Sequence, residues 1–126
     1  MPLHWTIDSQ LRTVDIVAED EVTVADAMAF FDAIEEAEAL PYNKLFDGRR
    51  GRAAMTAEEL MAIVVRIRSQ HGLSTMGALA VVASPEQAHH IARILGAAAV
   101  ADRPLKVFDE LRTARRWFEA QRPARA

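Results

Sequence analysis

Cysteine is absent from this 126-residue chain, and its absence excludes several classes of protein. Without cysteine there is no disulfide framework, no thiolate zinc site and no cysteine nucleophile. No apolar run approaches the roughly 20 residues that span a bilayer. The first ten residues lack the basic and apolar regions of a secretory signal. Glycine and proline number only five each, which excludes a collagen-like chain. We therefore expect a soluble, cytoplasmic protein.

The composition that remains is that of one globular domain. Hydrophobic residues make up 51% of the chain and charged residues 26%. The length fits a single domain over residues 1–126 with a loose tail at 121–126. Residues 1–63 hold 13 acidic and 5 basic side chains, whereas residues 64–126 hold 5 acidic and 10 basic ones. This polarity permits a homodimer or an oriented partner, but ordinary solvated helix faces explain it more simply.

Alternating apolar and polar residues predict two strands near the N-terminus, at 3–8 and 13–18. The turn residues Asp8-Ser9-Gln10 join them, so we expect an antiparallel hairpin. Three further strands are predicted at 42–47, 77–83 and 105–108. The polar segment Asp47-Gly48-Arg49-Arg50-Gly51-Arg52 is predicted to be a loop.

Capping signals predict where the helices begin. Thr23 with Asp26, Thr56 with Glu59 and Ser84 with Gln87 each have the spacing of a capping box. Asp109 is predicted to cap a fourth helix, and Gly72 to end the second one. On the first helix the predicted buried stripe is Val24, Ala27, Met28, Phe31 and Ile34.

The order of elements is ββαβαβαβα, in which short strand–helix–strand units indicate parallel strands. The predicted fold is therefore α/β: a small, mostly parallel five-stranded sheet with an antiparallel first strand and about four helices. We expect the following side chains to be buried: Val14, Ile16, Phe31, Leu79, Val81, Ile91 and Phe118.

Three segments resemble the SpoIIAA-like family, which is related to the STAS domain of sulfate transporters and anti-sigma-factor antagonists. They are KLFDGRRG, GALAVVASPEQA and LKVFDELRTARRWFEA, and the resemblance as a whole covers nearly the entire chain, from Trp5 to Ala120. The resemblance implies an STAS-like fold and a non-enzymatic regulatory or ligand-binding role. The phosphorylated serine of the anti-sigma-factor antagonists is not matched, because the corresponding region reads RGRAAMTAEEL. Thr56 is the only hydroxyl there, and we expect it to act as a helix cap.

The carboxyl ends of parallel strands share one edge of the sheet, where ligands of open α/β sheets bind. Arginine side chains near helix N-termini suit a phosphate or carboxylate. The alternative is a solvated turn in which the arginines pair with Asp47 and its neighbours. The candidate ligand-binding residues at this edge are Asp47, Arg49, Arg50, Arg52, Thr56 and Ser84.

Catalysis receives little support from the sequence. Ser84 with a histidine and Asp47 or Asp109 would imitate a hydrolytic triad, but VVASPE is no nucleophile elbow. Adjacent His89 and His90 point about 100° apart on a helix, which is unsuited to one metal ion. We therefore predict no catalytic residue, metal or cofactor.

Arg112, Arg115 and Arg116 form a basic face on the last predicted helix. Glu110 and Glu119 interrupt that face and the whole chain is acidic, so we predict no nucleic-acid partner.

Two functional hypotheses follow. The first is a regulatory domain that binds a protein partner, and the second is a module for a small anionic or lipid-like ligand held at the strand ends. An exposed apolar patch favours the first hypothesis, whereas a deep apolar pocket favours the second.

Overall fold

The computed structural model describes residues 2–89 and 103–121 and confirms the predicted α/β fold. One five-stranded sheet has the order β1-β2-β3-β4-β5; β1 is antiparallel to β2 and the other neighbours are parallel. The elements along the chain are β1 Leu3–Asp8, β2 Thr13–Val22, α1 Val24–Glu36, β3 Asn43–Ala53, α2 Ala57–Leu73, β4 Leu79–Val82, α3 described over 85–89, β5 Leu105–Phe108 and α4 Leu111–Ala120.

The helices cover the two faces of the sheet unequally. The strand order advances in one direction, so right-handed crossovers place α1 and α2 on the same face. There Phe30 and Ile34 of α1 pack with Val14 and Ile16 of β2. The opposite face is covered by α4, whose Phe118 packs with the side chains Leu45, Ala80, Val82 and Phe108.

The capping boxes predicted from the sequence are present. The Thr23 side chain accepts a hydrogen bond from the Asp26 amide, and the Asp26 carboxylate accepts one from the Thr23 amide. The pair Thr56 and Glu59 does the same at the start of α2. These reciprocal bonds satisfy amide groups that the first helical turn leaves without a partner.

Two predicted helix ends are wrong by one or two residues. Gly72 lies inside α2, which continues to Leu73 and is capped by Ser74, whose amide donates to the Gln70 carbonyl at 3.3 Å. The N-cap of α4 is Glu110 rather than Asp109, and it makes no side-chain capping bond.

The predicted loop at 47–52 is in fact the second half of β3, because β2 continues to Val22 and offers backbone groups for pairing. A β-bulge shifts the register between Val17 and Glu19, so that Val17 lies opposite Asp47 and Glu19 opposite Arg50. Gly51 suits this close pairing, since a Cβ there would lie 2.7 Å from the Cβ of Ala18.

Most predicted core residues are buried, and the exceptions have one cause. Val14, Ile16, Val81 and Phe118 are buried as expected, and Ile91 lies outside the described residues. Phe31 and Leu79 are only half-buried, because both line a cavity on the α1–α2 face. On α1 the residues Ala27, Phe30 and Ile34 are buried, so the predicted stripe is rotated toward Phe30, whose ring packs edge-on against Trp5.

Candidate functional site

The predicted anion site at the carboxyl ends of the strands consists largely of side chains that bind one another. The Arg49 guanidinium donates to both carboxylate oxygens of Asp47, from Nε at 2.9 Å and from Nη2 at 2.8 Å. This hydrogen bonding holds the pKa of Asp47 below its usual range. Arg52 forms an exposed ion pair with Glu21 at 3.2 Å, and Arg50 is exposed on the strand.

The two hydroxyl groups predicted for this site both cap helices. The Thr56 hydroxyl accepts from the Glu59 amide at 3.1 Å, and the Ser84 hydroxyl accepts from the Gln87 amide at 3.3 Å. The Gln87 side chain also donates to the Gly51 carbonyl at 2.7 Å, which holds the start of α3 against β3. Among residues 2–89 and 103–121, each of these groups except Arg50 thus has a hydrogen-bond or ion-pair partner. Ligand binding by the six residues stays a prediction.

A different feature dominates the α1–α2 face of the sheet: an apolar cavity of about 540 Å³. Among the described residues its walls come from β2, β3 and β4 on one side and from α1 and α2 on the other. The hydrophobic side chains that define it include Ile16, Phe31, Phe46, Ile63, Ile67 and Val81. Its volume lies within the roughly 300–1,000 Å³ of pockets that take drug-sized ligands.

Lys44 lines this cavity at the start of β3 and is almost fully buried, with 4% of its surface exposed. Its ammonium group donates to three carbonyls: Leu40 and Tyr42, each at 2.8 Å, and Ala39 at 3.2 Å. These carbonyls lie in the connection between α1 and β3, and they use all three donors of the lysine. Burial, with the nearby charge of Arg103, lowers the pKa of Lys44 to about 7.

Arg103 lines the same end of the cavity, two residues before β5, and is 7% exposed. Its Nε donates to the Gly77 carbonyl at 2.7 Å. Its Nη2 is buried and has no hydrogen-bond partner among the described residues. Burial lowers the pKa of Arg103 to about 10. The polar end of the cavity therefore carries a buried guanidinium with donor capacity to spare.

Sequence reasoning missed this end of the cavity, although one signal was present. Lys44 and Phe46 are two residues apart in the predicted third strand, so their side chains share a face. A lysine therefore points toward the apolar side of the sheet. Arg103 gave no such signal, because it stands before a proline outside any periodic pattern. Gln70 was missed as well; it is 1% exposed, lines the cavity and donates to the Phe31 carbonyl at 3.5 Å.

Comparison with protein families decides the family. The SpoIIAA-like family model matches residues 13–119, which is most of the chain. The chain belongs to the SpoIIAA-like family. No curated protein sequence matches it.

A solved structure supports the same fold. An uncharacterized protein with a SpoIIAA-like fold from Shewanella loihica PV-4 superposes with a TM-score of 0.65. The two chains share 16% sequence identity, and the match covers 92% of this chain and 93% of that one. At this identity the likeness extends to the fold alone.

The described part of this SpoIIAA-like domain has neither a metal-binding cluster nor a membrane-spanning helix. Within residues 2–89 and 103–121, no three His, Asp or Glu side chains are grouped to bind a metal ion. In the same part of the chain, no helix is long and apolar enough to cross a membrane. The cavity has the volume of a small-molecule pocket, and two buried cations line it.

Proposed function

We propose that this SpoIIAA-like protein is a non-enzymatic module that binds an apolar small molecule in the cavity between the sheet and helices α1 and α2. The supporting observation is the cavity of about 540 Å³, lined mostly by hydrophobic side chains. Protein interiors are packed as densely as organic crystals, and voids larger than one water molecule are few. An apolar space of this size therefore suits a ligand better than it suits an unliganded core.

Half-buried aromatic and aliphatic side chains support the same proposal. Phe31, Phe46 and Leu79 line the cavity and remain partly reachable by solvent. Covering them with a ligand removes apolar surface from water, which contributes about 25 cal/mol per Å² buried. Phe46 and Leu79 lie on strands and Phe31 lies on α1, so a ligand held between the sheet and this helix would gain that energy.

A pair of alanines on α1 allows a matched test. Ala27 is buried and lines the cavity, whereas Ala29 lies two residues away and is exposed. Titration with an uncharged fluorescent dye, N-phenyl-1-naphthylamine, measures binding to the wild type. We expect Ala27→Leu to weaken the dye at least fivefold, because leucine occupies part of the cavity, and Ala29→Leu to leave its Kd within twofold.

Equal dye affinity in the two variants, or no saturable binding to the wild type, would contradict the proposal. Native mass spectrometry of protein purified from its own host then gives the mass of the natural ligand.

Binding to a protein partner is a second candidate function, favoured by the outward face of α2. Met61 and Val65 lie one helical turn apart and each is 59% exposed. Two large apolar side chains side by side in water suit a docking surface, for which a second copy of the chain is the first partner to test. Sedimentation velocity of the wild type and of Met61→Lys/Val65→Lys tests this self-association. A dimer present only in the wild type supports it, and a monomeric wild type contradicts it.

A further inference from the structure

Two buried cations lie close together at the amino-end edge of the sheet. Lys44 of β3 is in register with Leu79 of β4, which is in register with Leu105 of β5, two residues after Arg103. Neighbouring strands are about 4.8 Å apart, so this part of the edge is about 10 Å wide. Both side chains line the apolar cavity.

Within the described part of the chain, neither cation has an acidic partner. Among residues 2–89 and 103–121, the ion pairs that form involve other arginines, and no carboxylate lies within ion-pair distance of Lys44 or Arg103. Glu86 is acidic and lines the cavity, but it neighbours Gln87, which is bonded to Gly51 near the end of β3. Gly51 is seven residues from Lys44 along the strand, which corresponds to about 23 Å.

The two side chains differ in what they can still bind. The three donors of Lys44 are used by backbone carbonyls, so this residue supplies charge. The guanidinium of Arg103 uses Nε, and its buried Nη2 donates to no described residue. Buried charges are normally paired, because an unpaired donor or charge in an apolar site is costly. An oxyanion beside Arg103 would accept from Nη2 and neutralise charge at this edge.

We infer that the ligand is an amphiphile whose anionic head, a carboxylate or a phosphate ester, is bound by Arg103 at the amino-end edge, while its apolar tail extends along β3 between the sheet and α1–α2. This inference rests on the proposed function and adds the chemical class of the ligand. Lys44 strengthens the site through its charge. The lining runs from Lys44 to Ala53, so the cavity is long enough for an extended tail.

The lowered pKa values agree with this geometry. Burial pushes Lys44 toward its neutral form, and the charge of Arg103 adds to the effect. A bound anion stabilises the charged form of Lys44, and we expect it to raise the pKa of this residue. Binding of an anionic ligand near pH 8 should therefore take up protons.

The test displaces the uncharged dye from the protein with three amphiphiles, decanoic acid, decyl phosphate and 1-decanol, and treats two short anions, acetate and inorganic phosphate, separately. The first two share the tail of decanol and differ from it in the head. We expect decanoic acid, decyl phosphate or both to bind at least tenfold more tightly than decanol. The preferred acid identifies the head. Short anions without a tail are scored by thermal shift at matched ionic strength, and we expect them to have little effect.

Two arginine variants decide where the head lies. Arg103→Gln should bind the acid and decanol with about equal affinity. Arg52→Gln is the matched control, because Arg52 also lines the cavity but lies at the other end of β3. It should keep the preference. Loss of the preference in Arg52→Gln, or its persistence in Arg103→Gln, would overturn the inference.

A measurement on the wild type keeps the inference testable if Arg103→Gln does not fold. Calorimetric titrations at pH 8 in buffers of different ionisation enthalpy report the number of protons taken up on binding. We expect uptake with decanoic acid and none with decanol. Equal affinity for acid and alcohol, without proton uptake, overturns the anionic head but leaves the proposed function intact. If neither the dye nor any amphiphile binds, the proposed function itself is contradicted. If only the short anions stabilise the protein, the inference that the ligand has an apolar tail is overturned.

Discussion

Raising the pH should stabilise the folded protein through Lys44. The pKa of this lysine falls from an ordinary value of 10.5 to about 7 in the folded state, first because it is buried and second because Arg103 is near. Between these two values the unfolded chain keeps the proton that the folded protein has released. Stability rises with pH wherever the unfolded state binds more protons. The penalty of the buried charge is therefore complete below pH 7 and disappears by about pH 10.5.

The size of the effect follows from proton linkage. One proton bound only in the unfolded state changes the free energy of unfolding by about 1.4 kcal/mol per pH unit. Between pH 7.5 and 9.5 the contribution of Lys44 is thus about 2 kcal/mol of added stability. A domain with a total stability of about 5–15 kcal/mol shows such a change clearly in urea unfolding.

The assay compares the pH dependence of unfolding in three proteins, followed by tryptophan fluorescence at constant ionic strength. Lys44→Met keeps the length of the side chain and removes the titrating group, so its profile should be flatter by about 2 kcal/mol over this range. Lys106→Met is the control, because the chain's other lysine is exposed and should leave the profile unchanged. Parallel profiles for wild type and Lys44→Met would refute the reasoning.

Two further predictions concern the opposite face and the carboxyl-end edge of the sheet. Phe118 is 3% exposed and packs with Leu45 and its neighbours, so Phe118→Ala should cost about 3–5 kcal/mol in urea unfolding; a loss below about 1 kcal/mol would place this ring outside the core. For Arg49→Ala/Arg50→Ala we expect a stability loss within about 1 kcal/mol, since Arg49 forms a partly exposed ion pair with Asp47. Sulfate at matched ionic strength should raise the Tm of this variant and of the wild type equally, whereas a response in the wild type alone would restore the predicted anion site.

The fold was accessible from the sequence because its signals are local. Alternation of apolar residues marks the hairpin, and the pairs Thr23 with Asp26 and Thr56 with Glu59 mark where two helices begin. Because strands and helices alternate and strand–helix–strand crossovers are right-handed, few topologies are possible, and a mostly parallel sheet could be predicted. The order of strands within the sheet was not predicted, since it depends on contacts between distant segments.

The errors at 47–52 arise from long-range pairing. Glycines and arginines there suggest a loop, but the partner strand β2 extends far enough to continue the sheet. Pairing with a neighbouring strand that supplies backbone hydrogen bonds can override the local preference for a loop. The predicted full burial of Phe31 and Leu79 was wrong for another reason. Their positions on the buried faces were predicted correctly, but periodicity cannot show that a cavity lies beside them.

The two ends of the strands differ in how their charges are satisfied, and this difference locates the candidate site. At the carboxyl end Arg49 and Arg52 pair with Asp47 and Glu21. These groups lie at the surface, where an ion pair gains little and an added anion gains little more. The expectation that ligands bind at that end comes from the topology of open sheets in general.

At the amino end, the charges are buried, and no carboxylate of residues 2–89 and 103–121 pairs with them. An anion placed there would be attracted in a medium of low dielectric and would meet an Arg103 donor that has no hydrogen-bond partner among those residues. The same buried surroundings that make this edge costly in the free protein make it selective for a ligand whose head is negative and whose tail is apolar. Charge satisfaction, more than strand polarity, is therefore our reason for proposing the amino end of this sheet as the ligand site.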